Sequence, residues 1–280
     1  MIEALNFKKY AEWVLILILG CLAFSTSSFP PIYQYIYIGF IFSFLIICRI
    51  VPSLRRYKNV LNAIFVVVLI YILYSTYIYK SIASFGKKIF FSIFGTNEMV
   101  ENVAQNSVFG IFWITLPIIL ILLQKDSLKE LFIKQGKKIG WIVGFSLVFI
   151  LIVISLLMAF NKGVQLKIII TLFPLGITYA FINAVKEEIL FRGLIFSRTL
   201  PFGFIFSLIC QFFMFGLIHM LYGGGEGMGF AGLILTGILG VILALMTKKF
   251  DSLVSPILLH TGLDFLLFMG VLVPKFYPRL

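Results

Sequence analysis

Acidic side chains are scarce in this chain, 11 Asp and Glu against 23 Lys and Arg, and the only histidines are His219 and His260. Charged residues make up 12% and hydrophobic ones 61%. That excludes a soluble globular domain, in which they run at about 25% and about 45–50%. Cys21, Cys48 and Cys210 are scattered in apolar runs at no metal-ligand spacing, so they read as small hydrophobes. The HExxH helix, the usual zinc-protease pattern, is missing. So is the polar–apolar alternation of a membrane β-barrel. There is no low-complexity tract and no internal repeat. The lack of matching halves argues against a proton-coupled transporter, since every acid that can lie at membrane depth, Glu12 excepted, falls in the final 100 residues.

What the chain has instead is long apolar runs. An α-helix needs roughly 20 apolar residues to cross a hydrocarbon core. Proline, glycine and charge divide the sequence into nine such segments, at 11–29, 32–51, 60–79, 107–123, 140–160, 168–198, 202–221, 230–247 and 253–273. The expected fold is therefore all-α, a polytopic transmembrane bundle of about nine helices. With a cytoplasmic N-terminus, 14 Lys and Arg fall on the inner side and 7 on the outer, which leaves Lys186 and Arg192 within the membrane. The positive-inside rule favours that orientation.

The net charge of +12 sits in short loops at helix ends, where anionic lipid headgroups account for it without nucleic acid. Residues 124–138 read as a basic amphipathic connector on the inner surface, and Lys87 to Phe94 as an interfacial stretch outside. Lys8, Lys9 and the run Val14–Gly20 ahead of Cys21 resemble a lipoprotein signal, but the reading adopted is a first transmembrane helix. Tyr33, Tyr35, Tyr37, Tyr71, Tyr74, Tyr77 and Tyr79 fit an interfacial aromatic belt. Gly223 to Gly227 reads as a flexible turn, not a phosphate loop. Gly229, Gly232, Gly237 and Gly240 read as close helix contacts.

Ionisable residues at membrane depth are expensive and mark functional sites. The densest group is Glu187-Glu188-Ile189-Leu190-Phe191-Arg192. On an α-helix Glu188 and Arg192 share a face, acid before base, and should pair. Glu187 points about 100° away from Glu188 and is the natural general base. Phe215 with His219, and His260 with Asp264, are further pairs at i,i+4 spacing. Rise along a helix places Glu187 about 20 Å from the turn near Leu200, His219 about 27 Å from Pro201 and His260 about 14 Å from Asp251. All three can meet near mid-membrane. That requires a sixth helix of about 31 residues, with a kink at Pro174 or a tilt.

EEILFR, FGLIH and HTGLD resemble, in order, the EExxxR, FxxxH and HxxxN/D motifs of the CPBP intramembrane proteases. That group takes in the type II CAAX prenyl endopeptidases and the abortive-infection and bacteriocin self-immunity proteins. The resemblance covers roughly residues 165–272 as a protease core, preceded by variable transmembrane helices in 1–160. It implies peptide-bond hydrolysis inside the membrane. Glu187 would activate water, His219 would position it, His260 and Asp264 would stabilise the oxyanion, and Glu188 and Arg192 would hold the site together. The family has been described both with and without a metal. Two histidines and a carboxylate are a possible zinc set, so the cofactor stays open. Where many members have asparagine this chain has Asp264, which cannot donate a hydrogen bond when ionised. It then stays protonated, orients His260 or binds a cation.

The implied partners are the lipid bilayer and a membrane-embedded or membrane-tethered peptide or protein substrate. The expected location is a bacterial plasma membrane, and the phenylalanine- and lysine-rich composition is compatible with a bacterium of low genomic GC. The competing reading is a proteolytically inactive membrane regulator or bacteriocin-immunity protein that keeps the fold.

Overall fold

Proline sets several of the helix ends. Pro31 opens the second helix at its first turn, where a missing N–H costs nothing, and that helix stops at Val51, extended ahead of Pro52. The computed structural model describes residues 2–74, 76–95, 98–222 and 229–277. Among the described residues there are helices and no strand. The longer ones are α1 (Ile2–Phe24), α2 (Pro31–Ile50), α3 (Lys58–Tyr74), α4 (Tyr77–Phe94), α5 (Glu98–Leu123), α6 (Lys138–Asn161), α7 (Leu166–Glu188), α8 (Phe204–Tyr222), α9 (Gly229–Phe250) and α10 (Val254–Leu267). Eight helical stretches, from Pro31–Ile50 to Val254–Phe276, are long and apolar enough to cross a membrane. The protein is a polytopic all-α membrane bundle.

Each of the nine expected segments falls mainly on a helix, but the third, 60–79, overruns the end of α3 at Tyr74 into α4, and the first, 11–29, continues past α1 into a 3-10 turn at Thr26–Ser28. The tenth helix, α4, takes in the Lys87–Phe94 stretch expected at the interface. The sixth segment is the longest, because α7 runs on through a π-helical stretch, Ile189–Phe196, into the turn at Leu200–Phe202. The glycine turn at 223–227 and the side chains of Tyr74, Tyr77 and Tyr79 lie outside the described residues.

The chain forms two compact units. The first comprises Met1–Thr76, Leu116–Leu131 and Phe191–Leu245; the second comprises Tyr77–Thr115, Phe132–Leu190 and Met246–Leu280. In the first, α1 packs on α3 and α8, and α2 on α3. The Trp13 indole stacks on Phe206 at 5.0 Å and donates to the Phe202 carbonyl at 3.0 Å. Buried Arg198 bridges Asp126 at 2.7 Å and Glu130 at 3.0 Å, fixing part of the basic connector, which ahead of α6 is helical only in the 3-10 turn Leu128–Leu131. Gly237 and Gly240 make the expected close contacts, since an added Cβ would meet the Phe212 and Gln211 carbonyls at 2.9 Å. Gly229 does not: it has a positive φ and faces open space.

In the second unit α10 packs against both α6 and α7. Small residues make that approach possible. A Cβ on Gly144 would lie 2.8 Å from Leu258 Cδ1, and one on Gly262 would lie 2.7 Å from Leu151 Cδ1. Gly144→Val should therefore cost about 1–3 kcal/mol by overpacking. A lowered melting temperature in detergent checks it. Helix α6 ends where Gly163 takes φ +81 and Val164 N–H returns to the Ala159 carbonyl at 3.1 Å, a glycine-dependent stop. Phe265, Phe268, Leu172, Leu175 and Val103 bury the apolar core beside the polar face of α7. At the far end, Leu253 N–H donates to the Phe132 carbonyl at 3.1 Å and Lys137 N–H to the Phe250 carbonyl at 2.9 Å, so the start of α10 is tied to the start of α6.

Candidate active site

Helical register places Tyr179, Asn183, Lys186 and Glu187 on one stripe of α7, and His260 with Asp264 on one face of α10. Both faces belong to the second unit, as does the part of α5 that carries Asn106, Phe109 and Trp113. Most of these side chains are buried, as is the neighbouring Glu188: Glu188 is 0% exposed, His260 3% and Glu187 7%. Burying charge at this density is tolerable only with paired, hydrogen-bonded partners.

Those partners are present. His260 Nδ1 lies 2.8 Å from Glu188 Oε1. An ionised carboxylate can only accept, so Nδ1 carries a proton that it donates to Glu188, and the other ring nitrogen is turned away from Glu188. That nitrogen, Nε2, lies 3.7 Å from Glu187 Oε2 and 3.7 Å from Asp264 Oδ2. Asn183 closes the arrangement. Its amide nitrogen donates to Asp264 Oδ2 at 2.8 Å and to Glu187 Oε1 at 3.2 Å, and its carbonyl accepts from the Asn106 amide at 3.2 Å. The Asn106 carbonyl in turn accepts from the Lys186 ammonium, which lies 5.6 Å from the Trp113 ring and 6.0 Å from the Phe109 ring. Three carboxylates, one imidazole and one ammonium thus form a single network on three helices.

Four of the six expected site residues, Glu187, Glu188, His260 and Asp264, are brought together in this unit. The other two, Arg192 and His219, belong to the first unit. Arg192 is 0% exposed, with its guanidinium 4.2 Å from the Phe215 ring and a 3.3 Å hydrogen bond to the Gly240 carbonyl. His219 Nδ1 lies 2.9 Å from the Phe215 carbonyl, and its ring centroid 4.6 Å from that of Phe215. The expected i,i+4 pairing of Phe215 with His219 is therefore formed.

Past Glu188 the backbone departs from α-geometry. The stretch Ile189–Phe196, which carries Arg192, is π-helical. The Phe191 carbonyl accepts from the Gln211 side chain at 3.0 Å, a donor outside the helix ladder. A second π-helical stretch, Phe268–Leu272, follows α10 four residues after Asp264. Wide turns of this kind occur mostly at functional sites.

Sequence reading missed Asn106 and Asn183, and left Lys186 without a role. Asn183 carried a usable signal: an amide in an apolar run, one helical turn before Glu187. Asn106 carried none, because it sits just outside the apolar segment that begins at Ser107 and nothing local ties it to Asn183. Among the described residues no group of three or more His, Cys, Asp or Glu side chains is arranged to hold a metal ion.

A multi-pass helical bundle with a buried histidine, two buried carboxylates and a third partly buried one on two of its spans defines a class of membrane-embedded protein with an internal polar site. Residues 169–266, from α7 into the end of α10, match the family described as type II CAAX prenyl endopeptidase Rce1-like, which supports placing the chain among the CPBP family proteases. Helices α1 to α6 lie outside the match. No curated protein and no solved structure matches the chain.

Proposed function

We propose that the protein is an intramembrane endopeptidase that hydrolyses a peptide bond of a membrane-associated peptide or protein, with water activated by Glu187. The observation that carries this is the double anchoring around one buried position: Asn183 holds Glu187 from one side, and Glu188 holds His260 with Nε2 turned towards it. A base, an imidazole and the carboxylate that orients that imidazole are the parts that acyl hydrolysis needs.

In the reaction, Glu187 takes one proton from water and the oxygen attacks the carbonyl carbon. His260, an imidazolium flanked by three carboxylates, donates Nδ1–H to Glu188 and offers Nε2–H to the developing oxyanion. Asp264 is acceptor-only when ionised, so its part is to face the imidazole and receive Asn183. Collapse of the tetrahedral intermediate breaks the C–N bond, and Glu187 returns its proton to the departing nitrogen. Arg192, hydrogen-bonded to the Gly240 carbonyl, braces the helix beyond Glu188. A resident zinc would supply Lewis-acid activation of water, and no step here is routed through one.

The test is purified protein in vesicles with peptides tethered to the bilayer by a lipid or a transmembrane segment, products being read by mass spectrometry. The proposal expects a discrete pair of fragments from wild type. Absence of cutting, together with a cellular phenotype that Glu187→Gln leaves intact, would favour a membrane regulator or immunity protein. Metal analysis and chelator treatment of the same preparation assign the cofactor.

A further inference from the structure

We propose that Asn183 is a positioning residue that clamps Glu187 and Asp264 into one geometry, and that Asn106, outside the matched segment, sets the orientation of its amide. This rests on the endopeptidase reading of the same site.

An amide has two N–H donors and one carbonyl. Both donors of Asn183 are committed, to Asp264 at 2.8 Å and to Glu187 at 3.2 Å. Turning the amide over would aim its carbonyl at two acceptor-only carboxylates. The orientation is therefore fixed by chemistry, and the carbonyl must find a donor elsewhere. It finds the Asn106 amide at 3.2 Å. Asn106 is fixed in the same way, because its own carbonyl accepts from the Lys186 ammonium. The chain of donors thus runs from a buried cation through two amides to two carboxylates, and each link has one allowed direction.

The consequence for this particular chain lies in Asp264. An asparagine at that position could donate to a neighbouring carboxylate itself, whereas an ionised aspartate adds a third acceptor beside Glu187 and Glu188. Asn183 supplies the missing donor, and Lys186, 5% exposed, supplies positive charge along the same network. Asn106 brings α5 into this arrangement, so part of the site's geometry is set by a helix that the family match does not include. Gly110, one turn along α5, makes the contact close: a Cβ there would lie 3.2 Å from Ile182 and 3.4 Å from Lys186.

The experiment has two arms on the full-length protein. In the first, lipid-tethered peptides are cut in vesicles by wild type, Asn183→Ala and Asn106→Ala. A misplaced base leaves substrate binding intact, so kcat should fall about 10–100-fold at unchanged KM for Asn183→Ala, and less for Asn106→Ala. Combining Asn183→Asp with Asp264→Asn puts a donor back opposite an acceptor and should recover activity that Asn183→Asp alone loses. A kcat for Asn183→Ala equal to wild type, or a loss confined to KM, overturns the inference. In the second arm, melting temperatures of Asn183→Ala, Asp264→Ala and the double variant are compared in detergent. Coupling predicts that the double variant melts no lower than the worse single one, and strict additivity overturns the clamp. The second arm needs no substrate. Failure of wild type to cut, with coupling retained, therefore removes the endopeptidase reading and the catalytic role while the clamp itself survives.

Discussion

Glu187→Gln should abolish peptide hydrolysis while leaving the protein folded. The substitution keeps the shape of the side chain, and an amide oxygen still accepts the 3.2 Å hydrogen bond that Asn183 now gives to Oε1. What it removes is the basic oxygen that faces His260 Nε2 at 3.7 Å. A positioned general base contributes about 10²–10⁴-fold, and a proton that must also be returned to the leaving nitrogen places the loss toward the upper end of that range. Single-turnover cleavage of a tethered peptide measures it, with the melting temperature as control. A variant that keeps more than about a tenth of wild-type turnover rules out Glu187 as the base, because no ordinary base contribution is that small.

His260→Ala should be the most damaging single change to activity and stability together. His260 is the 2.8 Å partner of Glu188, a side chain that is 0% exposed. Removing one member of a buried charged pair costs about 3–5 kcal/mol, because the remaining charge is left in low dielectric. Catalysis should fall by about 10²–10⁴-fold as the donor to the oxyanion disappears. A paired substitution separates the two losses. With His260→Phe and Glu188→Leu both members of the pair become apolar, so part of the lost stability should return while activity does not, Glu187 and Asp264 still lacking the imidazole. Thermal melting and cleavage of the same preparations check both halves. A double variant that melts as low as His260→Ala would show that the pair does not account for the stability.

The helices were legible because lipid leaves the backbone no alternative, and runs of about 20 apolar residues state that requirement directly. The one addition, Tyr77–Phe94, carries Lys80, Lys87 and Lys88, and those charges hid its helical character from an apolar count. The site was legible as far as its ionisable residues go, since such residues in apolar runs are few and conspicuous. Glu187, Glu188, His260 and Asp264 do assemble. The link between Glu188 and His260 was not legible, because helical spacing within one segment says nothing about which face meets another segment. The π-helical stretch after Glu188 was also hidden, since periodicity arguments assume a constant register. Asn106 was the hardest to see: an uncharged amide acquires its role only when α5 is laid against α7.

The measurement that bears most directly on this account is the appearance of a new amino terminus on a bilayer-tethered peptide incubated with purified wild-type protein in vesicles, run beside Glu187→Gln from the same preparation. The account predicts one defined cut by wild type and none by the variant. Equal cutting by both, with both folded, would contradict it.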